Sequence, residues 1–405
     1  MDNPYILMLI ALALLAVIDL VVGVSNDAVN FLNSAIGSKA ISIRNIMIIA
    51  SIGVFFGAIT SSGMMEVARK GIFNPEMFMF QDIMFIFMAV MITDILLLDV
   101  FNTLGMPTST TVSIVFELLG AAVVISLIKI SQNDTESFNA IWNYINYEKA
   151  SMIIFGILLS VVVAFSVGAL VQFVSRLIYS FNFEKRPNYI NALFGGFAIT
   201  AITYFIIIKG MKGTPFYVDV KHLIEYNTLL IITGSFLLWT LISQLLITFF
   251  NINILKLIIG IGTFSLAMAF SGNDLVNFVG VPIAAWNSYQ VWETSGISAT
   301  TFSMGVLAQK VPSNVFLLLF AGAIMVVTLW TSSKARNVIK TGIDLSRQGE
   351  GHEKFKPNPL SRLVVRASMG INSGLSYIIP AKTIAFVDSK FQKPVIELPK
   401  DKTYE

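Results

Sequence analysis

Cysteine is missing from all 405 residues, histidine occurs only at His222 and His352, and charged side chains make up just 13% of the chain. Without cysteine there is no disulfide framework and no thiolate metal site, and two histidines are too few for a histidine metal cluster. No His-Glu-x-x-His or comparable nucleophile constellation occurs, so the chain is not expected to be an enzyme. The scarcity of charge is matched by an excess of apolar residues. At 55% hydrophobic and a mean hydropathy of +0.77, the chain lies beyond the range of an ordinary soluble domain of this length. These values predict an all-α fold, a polytopic transmembrane helical bundle surrounded by lipid, and give no sign of a nucleic-acid partner. The first apolar run follows Met1-Asp-Asn-Pro4 with no basic segment or small-residue cleavage site, and so reads as a retained helix.

Apolar stretches near the length that crosses a bilayer core, about 20 residues, begin at 5, 41, 83, 111, 152, 189, 229, 252 and 315. They predict about nine crossings. The first helix is expected to loosen at Gly23 and Ser25. Between 279 and 311, Pro282, Gly296 and the adjoining Pro312 predict one or two broken or re-entrant elements. Asp94 and Asp99 in the third span read as bundle-facing functional groups, or else as a sign that this span lies partly out of the membrane. The expected organisation is a first repeat over 1–131, intervening helices and loops over 132–250, a second, incomplete repeat over 251–333 and a basic soluble tail over 334–405. Eleven Lys and Arg against four Asp and Glu from Lys334 to Lys393 put that tail on the cytoplasmic side by the positive-inside rule, with the cell (inner) membrane as the expected location.

The polar exceptions carry the function. Gly23-Val-Ser-Asn-Asp-Ala-Val-Asn-Phe31 ends one apolar run, and Ser271-Gly-Asn-Asp-Leu-Val-Asn-Phe278 ends another. Each places a carboxylate, Asp27 or Asp274, at membrane depth, where a charge is costly and kept for function. At helical spacing Asn26, Asp27 and Asn30 project to one side, as do Asn273, Asp274 and Asn277. Interhelical glue is the plainer reading of such amides, but it does not require a repeated carboxylate. A second cluster, Ser109, Thr110 and Thr111, follows the Leu104-Gly-Met-Pro107 turn and sits at an expected helix start, where free N–H groups and the helix dipole favour anions. Capping is the alternative for any one of these hydroxyls. An anion bound there meets repulsion from Asp27 and Asp274 unless Na⁺, which takes hard oxygen ligands, or a proton is held with it.

The two Asn-Asp motifs, the first followed by Gly37-Ser-Lys-Ala40, and Gly105-Met-Pro-Thr-Ser-Thr-Thr111 resemble the signatures of the inorganic phosphate transporter family over residues 5 to 330. The resemblance implies inverted repeats and secondary transport of inorganic phosphate coupled to Na⁺ or H⁺, with no other cofactor. It assigns Asn26, Asn30, Ser109, Thr110, Thr111, Asn273 and Asn277 to substrate and Asp27 and Asp274 to the coupling ion, Na⁺ included. A cation transporter or channel built on the same oxygen ligands, and a non-transporting phosphate sensor, are the alternatives; a homo-oligomer stays open. The second hydroxyl motif departs from the family pattern: Ser298-Ala-Thr-Thr301 lacks the proline, and Thr300 follows Asn273 by only 27 residues. A half-built site is therefore expected, with 279–311 poorly packed and with additional polypeptide needed for transport.

Overall fold

The computed structural model describes residues 3–60, 72–181, 186–207, 222, 224, 226–308, 315–346 and 355–392. In lipid every backbone N–H and C=O must be satisfied within the protein, which favours helices. Among the described residues helices are the regular elements, apart from two isolated β-bridges, Phe73 with Ile145 and Met79 with Ser303. They are α1 (Pro4–Ser38), α2 (Ile43–Thr60), α3 (Phe80–Leu104), α4 (Thr110–Gln132), α5 (Tyr147–Tyr179), α6 (Asn188–Phe205), α7 (Thr228–Phe250), α8 (Ile254–Ser295), α9 (Val315–Thr331), α10 (Ser333–Leu345), α11 (Pro359–Ile378) and α12 (Ala381–Phe391), with short helical turns between some of them. Seven are long and apolar enough to cross a membrane, or eight spans if α9 and α10, bent by 69° at their junction, count as one. This is fewer than the nine expected, because α6 and α9 fall short individually.

The 42-residue α8 is the axis on which α1, α2, α3, α6 and α9 pack. Its contact with α2 depends on small residues. A Cβ at Gly57 would lie 2.2 Å from the Met268 carbonyl oxygen, and one at Gly53 would lie 2.5 Å from that of Phe264. Two helices approach this closely in a bilayer through shape, since lipid supplies no hydrophobic drive between them. Two apolar clusters result. One joins Leu12 of α1 to α3, α4 and the later half of α8; the other joins the second half of α1 to α2, α8, α9 and α10.

Four expectations change. α1 runs unbroken through Gly23 and Ser25: the Ser25 hydroxyl donates back to the Val21 carbonyl at 2.6 Å, and Gly23 makes room for a ring of α8. α8 likewise continues through Pro282 to Ser295, as membrane helices tolerate when neighbours take up the freed backbone groups. The part of 279–311 that is described is well packed. Val281, Ala284, Ala285 and Met304 are fully buried, and Trp292 stacks on Phe80 at 4.5 Å. Lastly, the chain beyond 333 does not leave the bundle at once. α10 buries Ala335, Val338, Ile339 and Gly342 against α1, Ser332 and Ser25 share a hydrogen bond of 2.7 Å, and Lys334 pairs with Asp99 at 2.5 Å.

Candidate functional site

Between the two apolar clusters lies a polar layer centred on Asp27. α1 supplies Asn26 and Asp27, both buried. α8 crosses it antiparallel. The Phe278 ring fills the space over Gly23, where a Cβ would come within 2.1 Å of it, and Phe270 meets Phe31 with ring centroids 6.0 Å apart. A step of four residues forward from Asp27 on α1 thus matches a step of four back from Asp274 on α8. At the centre of that register lie Asp27 and Asp274, 5% and 6% exposed.

The turn between α3 and α4 is the third component. Gly105 takes φ +62°, a left-handed value that glycine adopts without strain, and Met106 N–H closes α3 by donating to the Phe101 carbonyl at 2.8 Å. Asn26 then clamps the turn. Its amide donates to Asn102 Oδ1 at 2.8 Å and to the Met106 carbonyl at 3.1 Å, and its Oδ1 accepts from Thr108 N–H at 2.8 Å. Asn102 in turn donates to the Val22 carbonyl at 2.7 Å. The clamp sets the start of α4 beside Asp27. Ser109 is the N-cap, its Oγ accepting from Val112 N–H at 3.3 Å. Thr110 donates to Asp27 Oδ2 at 3.1 Å. Asn277 of α8 donates to Thr111 Oγ1 at 3.0 Å and to Thr110 Oγ1 at 3.4 Å. The first N–H groups of α4 have no carbonyl within their own helix to bond, and the positive end of its dipole lies at the same spot.

The structure therefore brings Asn26, Asp27, Thr110, Thr111, Asp274 and Asn277 together. Asn26 is engaged in holding the turn and Ser109 in capping. Asn30 is exposed, and the Asn273 side chain lies outside the described residues. Ser298, Thr300 and Thr301 do not join the site: they are exposed beyond the end of α8 and bonded to one another, Ser298 Oγ to Thr300 Oγ1 at 2.9 Å. The eighteen helical residues from Asp274 to Trp292 alone separate them from Asp27 by about 27 Å. Polar neighbours not anticipated from the sequence are Asn102, whose signal was an amide three residues before the turn glycine, and Asp19, Ser113 and Glu117, polar residues inside otherwise apolar runs. The Asp27, Asp274 and Thr110 oxygens make a hard, oxygen-only donor set suited to a small cation.

A family model, the phosphate transporter family, matches residues 23–342. A protein of Thermococcus kodakarensis named as a phosphate permease is 26% identical over 202 residues, 49% of this chain and 44% of that one. A second, of Pyrococcus horikoshii, is 24% identical over 310 residues, 74% of this chain and 68% of that one. The chain thus spans less than half the length of the first of these relatives. Among solved structures, one titled the sodium-dependent phosphate transporter superposes with a TM-score of 0.59 at 22% identity, covering 83% of this chain and 78% of its own. At that identity the likeness is one of fold.

Proposed function

Because the chain belongs to the phosphate transporter family, we propose that it moves inorganic phosphate across the membrane as a secondary transporter, with phosphate held at the start of α4 and a coupling cation, Na⁺ or a proton, between Asp27 and Asp274. The observation that carries this reading is the contact of Thr110 with Asp27 at the first turn of α4. The Thr111 hydroxyl and the free N–H groups of that turn are donors suited to phosphate oxygens; Thr110 and Asn277, engaged here on Asp27 and on the two threonines, reach phosphate by exchanging those bonds. The adjoining carboxyl pair repels an anion until a cation or proton neutralises it. Loading of one ligand thereby favours the other. Asn26 and Ser109 contribute by fixing the backbone around phosphate, and Asn30 and Asn273 belong to the same proposed set by their place in the motifs.

The antiparallel register of α1 and α8 about the carboxyl pair supports an inverted relation between the two halves, with the ligand at their interface. The excess of Lys and Arg after Lys334 supports a cytoplasmic tail in the cell membrane. The test is uptake of radiolabelled phosphate by proteoliposomes of the purified chain, with Na⁺ and pH gradients imposed separately. Saturable uptake under one gradient is expected, and it should be lost in Asp27→Asn and Asp274→Asn although both variants insert. No uptake under either gradient, or undiminished uptake in both variants, overturns the reading.

A further inference from the structure

A second set of carboxyls is buried where α1, α3 and α4 meet. Asp19 and Asp94 have no solvent exposure, and Glu117 is partly buried. Ser113 Oγ lies 2.6 Å from Asp94 Oδ1 and 2.7 Å from Glu117 Oε1. A hydroxyl carries one proton and donates to one acceptor. Both separations are those of O–H···O hydrogen bonds, so the second contact has to be donated to Ser113 Oγ by a carboxylic acid. No donor among the described residues reaches either Asp19 oxygen, Asp94 Oδ2 or Glu117 Oε2. Shared protons satisfy these contacts, because a carboxylic acid is a donor where a carboxylate is not.

The neighbouring charges offer no substitute. Lys129 of α4 is bound to Asp82 of α3 at 2.6 Å, and twelve helical residues, about 18 Å, separate it from Glu117. Lys334 of α10 is bound to Asp99. The other charged groups facing the set are acids, Asp27 of α1 and, beyond it, Asp274 of α8. One end of the set is open. Ser113 and Glu117 line a groove of about 620 Å³ between α3 and α4, which also contains Thr108 and Ser109 from the turn at the proposed phosphate position.

We propose that Glu117, Ser113 and Asp94 form a proton-carrying chain that loads from this groove and makes the proton the coupling ion. The inference rests on the transporter reading given above. A proton taken up at the groove protonates Glu117; Glu117 donates to Ser113 Oγ as the Ser113 proton passes to Asp94 Oδ1. One proton enters, one arrives at Asp94, and no other bond changes. When loaded, the chain is hydrogen-bonded and carries fewer charges at membrane depth, where each is costly. When it is empty, adjoining carboxylates repel one another and the nearby Asp27.

The test reconstitutes the purified full chain in liposomes containing a pH-sensitive dye. Phosphate counterflow and phosphate-evoked acidification of the lumen are measured in parallel, and the infrared band of protonated carboxyl groups is recorded on the same protein at neutral pH. The wild type should acidify the lumen as phosphate enters. Glu117→Gln and Ser113→Ala should each reduce acidification by about tenfold or more while counterflow persists, and Glu117→Gln should weaken the carboxylic-acid band. Counterflow driven by Na⁺ without proton movement, or acidification undiminished in both variants, overturns the proton chain and leaves phosphate transport standing. Absence of counterflow in the wild type overturns the transporter reading instead. In that event the infrared band, which needs no transport, decides the proton chain: a band unchanged by Glu117→Gln and by Asp94→Asn refutes it.

Discussion

Asn26→Ala separates a residue that positions the site from one that binds in it. The substitution removes three hydrogen bonds and strands their partners: Asn102 Oδ1, the Met106 carbonyl and Thr108 N–H. Asn102 is fully buried, so its oxygen bears the whole desolvation cost of about 1–3 kcal/mol. Met106 and Thr108 are only partly buried, and water can replace much of what they lose, leaving about 0.5–1.5 kcal/mol each. Destabilisation of about 3 kcal/mol is expected, read as a lowered thermal midpoint of the purified protein in detergent. Asn102→Ala alone should cost a similar amount, and the double variant less than the sum, because the second change removes an orphan left by the first. A coupling of about 1 kcal/mol is typical of contacting residues. Full stability in Asn26→Ala, with phosphate binding abolished, would refute the clamp and make Asn26 a ligand.

Thr110→Val and Thr111→Val keep volume and remove a hydroxyl. Thr111→Val removes a hydroxyl that can donate to phosphate, an interaction worth about 1.5–3 kcal/mol when the acceptor is charged, and Thr110→Val removes the hydroxyl that holds Asp27, so phosphate affinity by equilibrium binding should fall about tenfold or more in at least one of the two; unchanged affinity in both would reduce these hydroxyls to caps. Gly57→Leu has to push α2 off the Met268 backbone, 2.2 Å from the new Cβ, and should lower the thermal midpoint by an overpacking cost of about 1–3 kcal/mol or more. Gly234→Leu, where nothing lies within 4 Å, is the control, and equal shifts in both would count against the α2–α8 contact.

Membrane helices were legible because length and hydropathy alone predict them, and the repeated Asn-Asp-x-Val-Asn-Phe hexapeptide marked the polar layer. What stayed hidden depended on partners. Gly23 reads as a helix breaker until a ring is found occupying its side, and Pro282 reads as an end until neighbours hold α8 together. α10 reads as solvated from its Lys334 and Arg336, although Ala335, Val338, Ile339 and Gly342 already trace an apolar stripe at helical spacing. Asn26 was visible as a polar residue but not as a clamp, since its partners Asn102, Met106 and Thr108 lie 76 or more positions away. Asp19 was the plainest missed signal, a carboxylate with apolar residues on both sides.

The pairing of α1 with α8 is symmetric in register but not in bulk. On one side of the carboxyl pair a glycine receives a phenylalanine, Gly23 under Phe278; on the other, two phenylalanines meet, Phe31 and Phe270. Matching motifs thus pack ring on glycine at one end and ring against ring at the other, with Asp27 and Asp274 between them. The two sides of the carboxyl pair therefore differ by the bulk of one aromatic ring.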